Sequence, residues 1–108
     1  TAFIATNDIW ALRVMQILHE TGRKVPDDFS VVGFDNITAS EVCIPSLSSI
    51  RQPVKEAAEE VIKMLMNELE GKNFPVQNEV PCRLVKRDSI GKARTHQLKF
   101  TIKGKKQK

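Results

Sequence analysis

The apolar positions of the chain form short continuous runs, separated by longer segments in which they recur every three or four residues. The most distinct run is 29–34, FSVVGF, where the β-branched Val31 and Val32 show none of the polar alternation of a half-exposed strand. This run predicts a buried interior strand that delivers the carboxylate of Asp35 at its end. Gly33 indicates either a close approach to the backbone or an unusual turn at which the chain leaves the sheet.

Helical periodicity is clearest in two segments on either side of this strand. One helix is predicted over 9–20, with a cap from Asn7 or Asp8, and another over 54–70, where apolar residues recur at three- and four-residue steps. Strands that alternate with helices predict an α/β sandwich with a parallel sheet. The predicted elements in order are 3–5, 9–20, 29–34, 46–50, 54–70 and 80–86.

The apolar face of the first helix is broader than packing on a sheet alone requires. The excess indicates either a second partner or a fully buried helix. Another apolar segment, 42–45, lies in a predicted surface connection, where such a segment often marks a protein contact. The helix face consists of Trp10, Ala11, Val14, Ile17 and Leu18, and Leu12 and Met15 extend it.

Polar side chains follow three of the predicted strands at the point where each strand ends. They are Asn7, Asp35 and Gln52. Right-handed strand–helix–strand units make parallel neighbours, and the carboxyl ends of parallel strands open on the side where α/β sheets bind ligands. We therefore expect Asn7 and Asp35 to reach one ligand. Taken alone, Asp35 is equally well explained as a cap or turn residue.

The net charge of +4 at pH 7 is unevenly distributed. Residues 83–108 hold ten Lys or Arg against the single acid Asp88, a net charge of +9, whereas residues 1–82 carry −5. The tail at 96–108 is typical either of a contact with nucleic acid or an anionic surface, or of a solvated mobile terminus. We expect the terminus, because the tail lacks interleaved aromatic residues and a helical pattern.

The remaining reactive residues argue against several classes of protein. Cys43 and Cys82 are too few for a disulfide scaffold and too far apart for a metal knuckle, so we expect both to be buried in a reducing compartment. His19 lacks a second ligand at metal spacing, and no apolar run approaches the ~20 residues that cross a bilayer. Without a phosphate loop, a nucleophile elbow or a catalytic triad, we predict no enzyme, no cofactor and no metal site.

Five segments occur in a distinctive order and spacing: FIATNDIWAL at 3–12, VPDDFSVVGFDN at 25–36, IPSLSSIRQPV at 44–54, ELEGK at 68–72 and LVKRDS at 84–89. In these segments the chain resembles the carboxyl-terminal part of the effector-binding domain of LacI/GalR-family transcriptional repressors, up to about Gly91. Because the chain opens inside a strand-like run, we expect it to be a fragment.

The resemblance implies a partial periplasmic-binding-protein-like fold, in which two α/β subdomains are joined by three crossovers and a small effector binds in the cleft. The helix at 54–70 would then pack on an amino-terminal subdomain that this chain lacks. The implied divisions are 1–50 in the carboxyl-terminal subdomain, 51–53 as a crossover, 54–81 in the amino-terminal subdomain, 82–91 as a return strand, and 92–108 as a basic tail.

The same resemblance implies the functional residues. Effectors would contact Asn7, Asp35 and Gln52, the residues that the strand ends also select. The protein would be a cytoplasmic homodimer without a membrane segment, and it would bind operator DNA through an amino-terminal head absent from this sequence. The dimer interface would include Leu12, Met15, Val42, Cys43 and Ile44.

The chemistry of the three effector residues suits a polyhydroxylated ligand. The carboxylate accepts strong hydrogen bonds from adjacent hydroxyls, and the two amides both donate and accept. We expect a sugar or sugar phosphate, with a nucleobase as the other possibility. Trp10 is either an aromatic platform for the sugar or, as we expect, a core or interface residue.

Two other classes share parts of this pattern. The sugar-binding protein of an ABC transporter has the same fold, although its third crossover usually lacks the SLSSIRQP pattern. A receiver domain would use Asp8 and Asp35 as acids in phosphoryl transfer, but it also needs an acidic pair after its first strand and a lysine at a later strand end. The sequence supplies neither, so the transcriptional regulator remains the main interpretation.

Overall fold

The computed structural model describes residues 1–73, 75 and 77–93. Within them, the predicted strands and helices are present, and one further short helix lies in the connection between the second and third strands. The basic tail lies outside the described residues from position 94 onward. The elements are β1 Ala2–Ile4, α1 Asp8–Glu20, β2 Ser30–Phe34, α2 Thr38–Val42, β3 Ser48–Arg51, α3 Val54–Leu69 and β4 Arg83–Val85.

The four strands form one sheet in the order β1-β2-β3-β4. The first three are parallel, with Val31 opposite Phe3 and Gly33 opposite Ser49, and β4 is antiparallel to β3. The mixed α/β class with a mainly parallel sheet is therefore confirmed. β2 has a neighbour on each side, as expected for an interior strand. The strands β3 and β4 differ from the predicted spans 46–50 and 80–86 by a few residues at their ends.

Helix α1 packs on one face of the sheet and buries a narrower stripe than predicted. Trp10 is 61% exposed and Ile17 is 45% exposed, so these two members of the predicted apolar face point away from the sheet. A helix that contacts a single sheet buries positions at spacings of four and three residues, and its flanks remain in solvent. The buried apolar core consists of Ala11, Met15, Leu18, Val31 and Leu47.

The opposite face of the sheet is apolar and partly open. Alternation along the strands places Ile4, Val32, Phe34, Ile50 and Leu84 on this face. Ile4 is 81% exposed and Leu84 is 57% exposed, so nothing among the described residues covers the two outer strands on this side. A mainly parallel sheet is normally covered on both faces.

Helix α3 is amphipathic, as predicted, and begins directly after Pro53. None of the described residues in α3 is buried. Its apolar side chains therefore form a second uncovered face. They are Val54, Val61, Ile62, Leu65, Met66 and Leu69, each between 49% and 73% exposed.

Two further expectations concern cysteines and membranes. Cys43 is half-buried, but Cys82 is exposed, so the expectation that both are buried is wrong for Cys82. Cys82 lies in the connection just before β4, outside the α1–sheet core. Within the described part of the chain, every helix is too short or too polar to span a bilayer.

Candidate functional site

The turn after β2 carries the first candidate site residue. Strand β2 continues through Gly33, so the prediction that the chain leaves the sheet there is wrong. The change of direction comes two residues later, where Asp35 and Asn36 have φ angles of 101° and 54°. This backbone conformation is uncommon for residues other than glycine, and Asn and Asp are the types that tolerate it best. The turn is anchored to β3, because the Asp35 amide donates to the Ile50 carbonyl at 2.9 Å.

Two of the three predicted effector residues touch each other. Gln52 Nε2 donates a hydrogen bond to Asp35 Oδ1 at 2.6 Å, and both side chains are exposed. No other hydrogen bond among the described residues uses Asp35 Oδ2 or Gln52 Oε1. The pair therefore presents two acceptor oxygens at the carboxyl ends of neighbouring parallel strands, the edge at which open α/β sheets bind ligands.

Asn7, the third predicted effector residue, has a structural task. It is the N-cap of α1, and its Oδ1 accepts a hydrogen bond from the Trp10 amide at 3.0 Å. The cap uses the acceptor and leaves the side-chain NH₂ as a donor. Within the described residues, no hydrogen bond joins Asn7 to Asp35 or to Gln52. The structure thus brings two of the three residues into contact and places the third at the end of β1.

Asp8 is completely buried, a role that the sequence pattern did not reveal. Its Oδ1 accepts from the Ser49 hydroxyl at 2.5 Å, and its Oδ2 accepts from the Ser40 hydroxyl at 2.6 Å and the Ile37 amide at 2.8 Å. The three donors come from three parts of the chain. They compensate a burial that would otherwise be costly for a carboxyl group. The exposed phosphoacceptor of a receiver domain would need the opposite environment.

Gly33 makes room for Asp8. A β-carbon built at position 33 would overlap Asp8 Oδ1 and would lie 3.1 Å from Leu47 Cδ2. The close-approach interpretation of Gly33 is therefore the correct one, and the approaching atom belongs to a side chain rather than to the backbone. A glycine inside an interior strand was the sequence signal for this contact.

Ser49 links Asp8 to the turn that carries Asp35. Its hydroxyl donates to Asp8 Oδ1 and accepts from the Asn36 amide at 3.0 Å. The side-chain Oδ1 of Asn36 is buried and has no hydrogen-bond partner among the described residues. The left-handed turn is thus held through its backbone amides and through Ser49.

A groove of about 450 Å³ lies between α1 and the segment that follows α2. Its walls include four of the five residues predicted for the dimer interface, Leu12, Met15, Cys43 and Ile44, and Ile44 is 97% exposed. Of these residues, Met15 is only 8% exposed, because its side chain packs in the core between α1 and the sheet. The rim is polar and mostly basic. It consists of Gln16, His19, Arg23, Lys24 and Asp27.

Val42, the remaining residue predicted for the interface, ends α2 and is 72% exposed. Cys43 follows it, and its thiol lies within hydrogen-bonding distance of the carbonyls of Ser40 and Pro45. Among the described residues, no cluster of three or more His, Cys, Asp or Glu side chains could hold a metal ion.

Comparison with known proteins gives one consistent result. Residues 1–90 match the family described as periplasmic binding protein-like domain. The HTH-type transcriptional regulator AscG of Escherichia coli (strain K12) is 39% identical over 90 residues, which are 83% of this chain and 27% of AscG. The crystal structure of Escherichia coli AscG matches with a TM-score of 0.72 and 39% identity, over 82% of this chain and 33% of that chain.

Two further structures match at lower identity. The lac repressor dimer bound to operator and the anti-inducer ONPF has a TM-score of 0.78 and 32% identity, over 83% of this chain and 32% of that chain. The transcriptional regulator CelR in complex with cellobiose has a TM-score of 0.74 and 31% identity, over 82% of this chain and 27% of that chain. The chain therefore spans about a quarter to a third of these relatives. The resemblance to LacI/GalR regulators is confirmed.

Proposed function

Because the chain belongs to the periplasmic-binding-protein-like domain family, we propose that it forms part of the effector-binding domain of a LacI-type transcriptional repressor. In this proposal, Asp35 and Gln52 bind a sugar or sugar phosphate, and Asn7 contributes a donor from the end of β1. The observation that carries the proposal is the Asp35–Gln52 hydrogen bond, which holds a carboxylate and an amide side by side at one sheet edge.

The acceptors of this pair suit adjacent hydroxyl groups. Asp35 Oδ2 and Gln52 Oε1 are available to accept, and hydrogen bonds to a carboxylate are stronger than neutral ones. The side-chain NH₂ of Asn7 adds a donor for a ring or hydroxyl oxygen. Relatives supply the chemical class, since the CelR structure contains cellobiose and another LacI-family structure contains lactose. Trp10 is exposed and lies three residues after Asn7, but none of its contacts with the described residues links its ring to the proposed site.

The division into subdomains also belongs to the proposal. Residues 1–50 and the return strand at 82–91 share one sheet, and Ser89 supports this, because its hydroxyl donates to the Val31 carbonyl at 2.6 Å. Residues 54–81 would belong to the other subdomain. The exposed apolar face of α3 supports that assignment, since an amphipathic helix is stable when its apolar face is covered.

Dimerisation through the groove is the second part of the proposal. Leu12, Cys43 and Ile44 line the groove, Val42 lies beside it, and a fully exposed apolar side chain such as Ile44 favours a protein contact over solvent. Met15 would support this interface from below rather than face the partner. The proposed protein is a cytoplasmic homodimer that binds operator DNA through a separate amino-terminal head. The sugar-binding protein of a transporter has the same fold, but the relatives compared above are transcriptional regulators.

The test uses isothermal titration calorimetry on the full-length protein that carries this segment. The probes are cellobiose, lactose, glucose 6-phosphate and adenine. We expect a sugar to bind, and Asp35→Asn to weaken its affinity roughly 10- to 100-fold, because a hydrogen bond to a charged group contributes about 1.5–3 kcal/mol. The matched control is Asp27→Asn, which changes an exposed carboxylate on the groove rim.

Equal sugar affinities of the unmodified protein and Asp35→Asn would remove Asp35 from the site. A loss of the same size in Asp27→Asn would show that the effect is general rather than local. Binding of adenine, with no binding of the three sugars, would replace the sugar by a nucleobase.

A further inference from the structure

We infer that Asp8 is a positioning residue for the proposed effector site. Through Ser49, its buried carboxyl group holds the Asp35–Asn36 turn in the conformation that brings Asp35 to Gln52. This inference rests on the proposed function, since it concerns the geometry of the same site. The chain of contacts from Asp8 through Ser49 to Asn36 is called the Asp8 relay below.

The hydrogen bonds of the relay are all donated in one direction, from the turn toward Asp8. Ser49 donates to Asp8 Oδ1 at 2.5 Å and accepts from the Asn36 amide at 3.0 Å. A hydroxyl has a single proton, so its donation to Asp8 leaves its oxygen lone pairs directed at the Asn36 amide. A second contact, from the Ile37 amide to Asp8 Oδ2 at 2.8 Å, holds the next residue of the turn. Asp8 thereby holds two successive backbone amides, that of Ile37 directly and that of Asn36 through Ser49.

The turn needs such support because of its backbone conformation. Asp35 and Asn36 both have positive φ angles, which cost free energy for residues with a β-carbon and persist only where the surroundings enforce them. Asn36 does not supply this support with its own side chain, since its Oδ1 is buried without a partner among the described residues. The supporting contacts therefore come from Ser49, Asp8 and the Ile50 carbonyl.

The side chain of Asp8 has little room to move. Gly33 lies so close that a β-carbon there would overlap Asp8 Oδ1. Leu47 packs on the same side, and Asp8 itself is in the first turn of α1, whose amino-terminal end favours negative charge. Because the Asp8 carboxyl group is buried and lies close to Gly33, its position determines where Ser49 and the Ile37 amide can lie.

The chain offers a matched pair of variants for the test. Ser40 and Ser49 are both fully buried, and each donates its hydroxyl proton to Asp8. Ser40 lies in α2 and its hydroxyl has no contact with the turn, whereas Ser49 also holds the Asn36 amide. Ser40→Ala and Ser49→Ala therefore remove equivalent donors from the same carboxyl group, but only Ser49→Ala also removes the acceptor of the Asn36 amide.

The experiment measures sugar affinity by calorimetry on the full-length protein, with the panel of cellobiose, lactose and glucose 6-phosphate, and compares melting temperatures. We expect both serine variants to lower the melting temperature, and Ser49→Ala to lower it more, because Ser49→Ala also loses the hydrogen bond from the Asn36 amide. Ser49→Ala should weaken binding at least tenfold, and Ser40→Ala should stay within about twofold of the unmodified protein. Crystal structures of both variants provide a readout without ligand. The Gln52 Nε2 to Asp35 Oδ1 distance should lengthen beyond 3.5 Å in Ser49→Ala and stay near 2.6 Å in Ser40→Ala.

Equal affinities in the two variants, or an intact Asp35–Gln52 contact in Ser49→Ala, would overturn the inference and leave Asp8 with a purely structural role. The proposed function would survive that result, provided that Asp35→Asn still weakens binding. If instead Asp35→Asn binds sugar normally, the proposed site itself fails, and the crystal structures still decide whether the relay holds the turn.

Discussion

Replacement of Gly33 by alanine tests the closest contact in the structure. Gly33 is buried in the middle of β2, opposite Ser49. The added methyl group would overlap Asp8 Oδ1 and would lie 3.1 Å from both Asp8 Cγ and Leu47 Cδ2. Leu47 is fully buried and Asp8 is held by three hydrogen bonds, so neither can move freely. The substitution must therefore displace a buried carboxyl group from its donors.

The expected cost follows from these contacts. The displacement of Asp8 breaks at least one hydrogen bond to a charged group, which costs about 1.5–3 kcal/mol. An extra methyl group in a close-packed region adds about 1–3 kcal/mol. Alanine also lowers the conformational entropy of the unfolded chain, and this offsets about 0.4–1 kcal/mol of the loss in stability. The net loss is about 2–5 kcal/mol, a large part of the 5–15 kcal/mol typical of a folded domain.

The assay is urea unfolding of the full-length protein, with Gly22→Ala as the control. Gly22 has a φ of 70° and open space where a β-carbon would lie, so alanine there introduces backbone strain of about 1–2 kcal/mol but no overlap. A second control places Gly33→Ala in an Asp8→Ala background. Without the carboxyl group the methyl group has room, so the added cost should fall below about 1 kcal/mol.

Either of two results would contradict the predicted overlap between position 33 and Asp8. In the first, Gly33→Ala would destabilise the protein no more than Gly22→Ala does. In the second, the losses of stability caused by Gly33→Ala and by Asp8→Ala would add up in the double variant. Both outcomes would mean that position 33 and the Asp8 carboxyl group are not in contact.

Two further predictions concern the return segment and the groove. Ser89→Ala should destabilise the protein by about 2–4 kcal/mol in urea unfolding, because the Ser89 hydroxyl donates to the Val31 carbonyl of β2 and accepts from the Ser48 amide of β3. Unchanged stability would show that residues after β4 do not support the sheet. Ile44→Asp should convert the proposed dimer to a monomer in sedimentation velocity, whereas Lys55→Glu on exposed α3 should not. A dimer that persists in Ile44→Asp would place the interface elsewhere.

Local signals in the sequence predicted the elements well. Helix α3 runs from Val54 to Leu69, close to the predicted 54–70, because its periodicity and its flanking Pro53 and Gly71 are all short-range features. The interior position of β2 followed from its continuous apolar composition. The parallel pairing of β1 and β2 followed from the right-handed crossover rule. These predictions depend on residues that are neighbours in sequence, and they needed no knowledge of distant contacts.

The site residues were predictable only in part. Asp35 and Gln52 were found because both follow strands that the topology makes adjacent. Asp8 was missed, since its partners are 29 to 41 positions away and a buried acid is indistinguishable from a helix cap in the sequence. Trp10 and Ile17 belong to the predicted apolar face but are exposed, because periodicity defines a stripe and does not show which part of it contacts the sheet.

The position of Gln52 explains how a ligand at this site would act on the rest of the domain. Asp35 is attached to the sheet through the Ile50 carbonyl and the Asp8 relay, whereas Gln52 directly precedes Pro53 and α3. None of the described residues in α3 is buried, so this helix is held by the crossover rather than by packing on the sheet. A ligand that bonds to both side chains would therefore restrict α3 relative to the sheet, and its binding free energy would favour one arrangement of the two proposed subdomains.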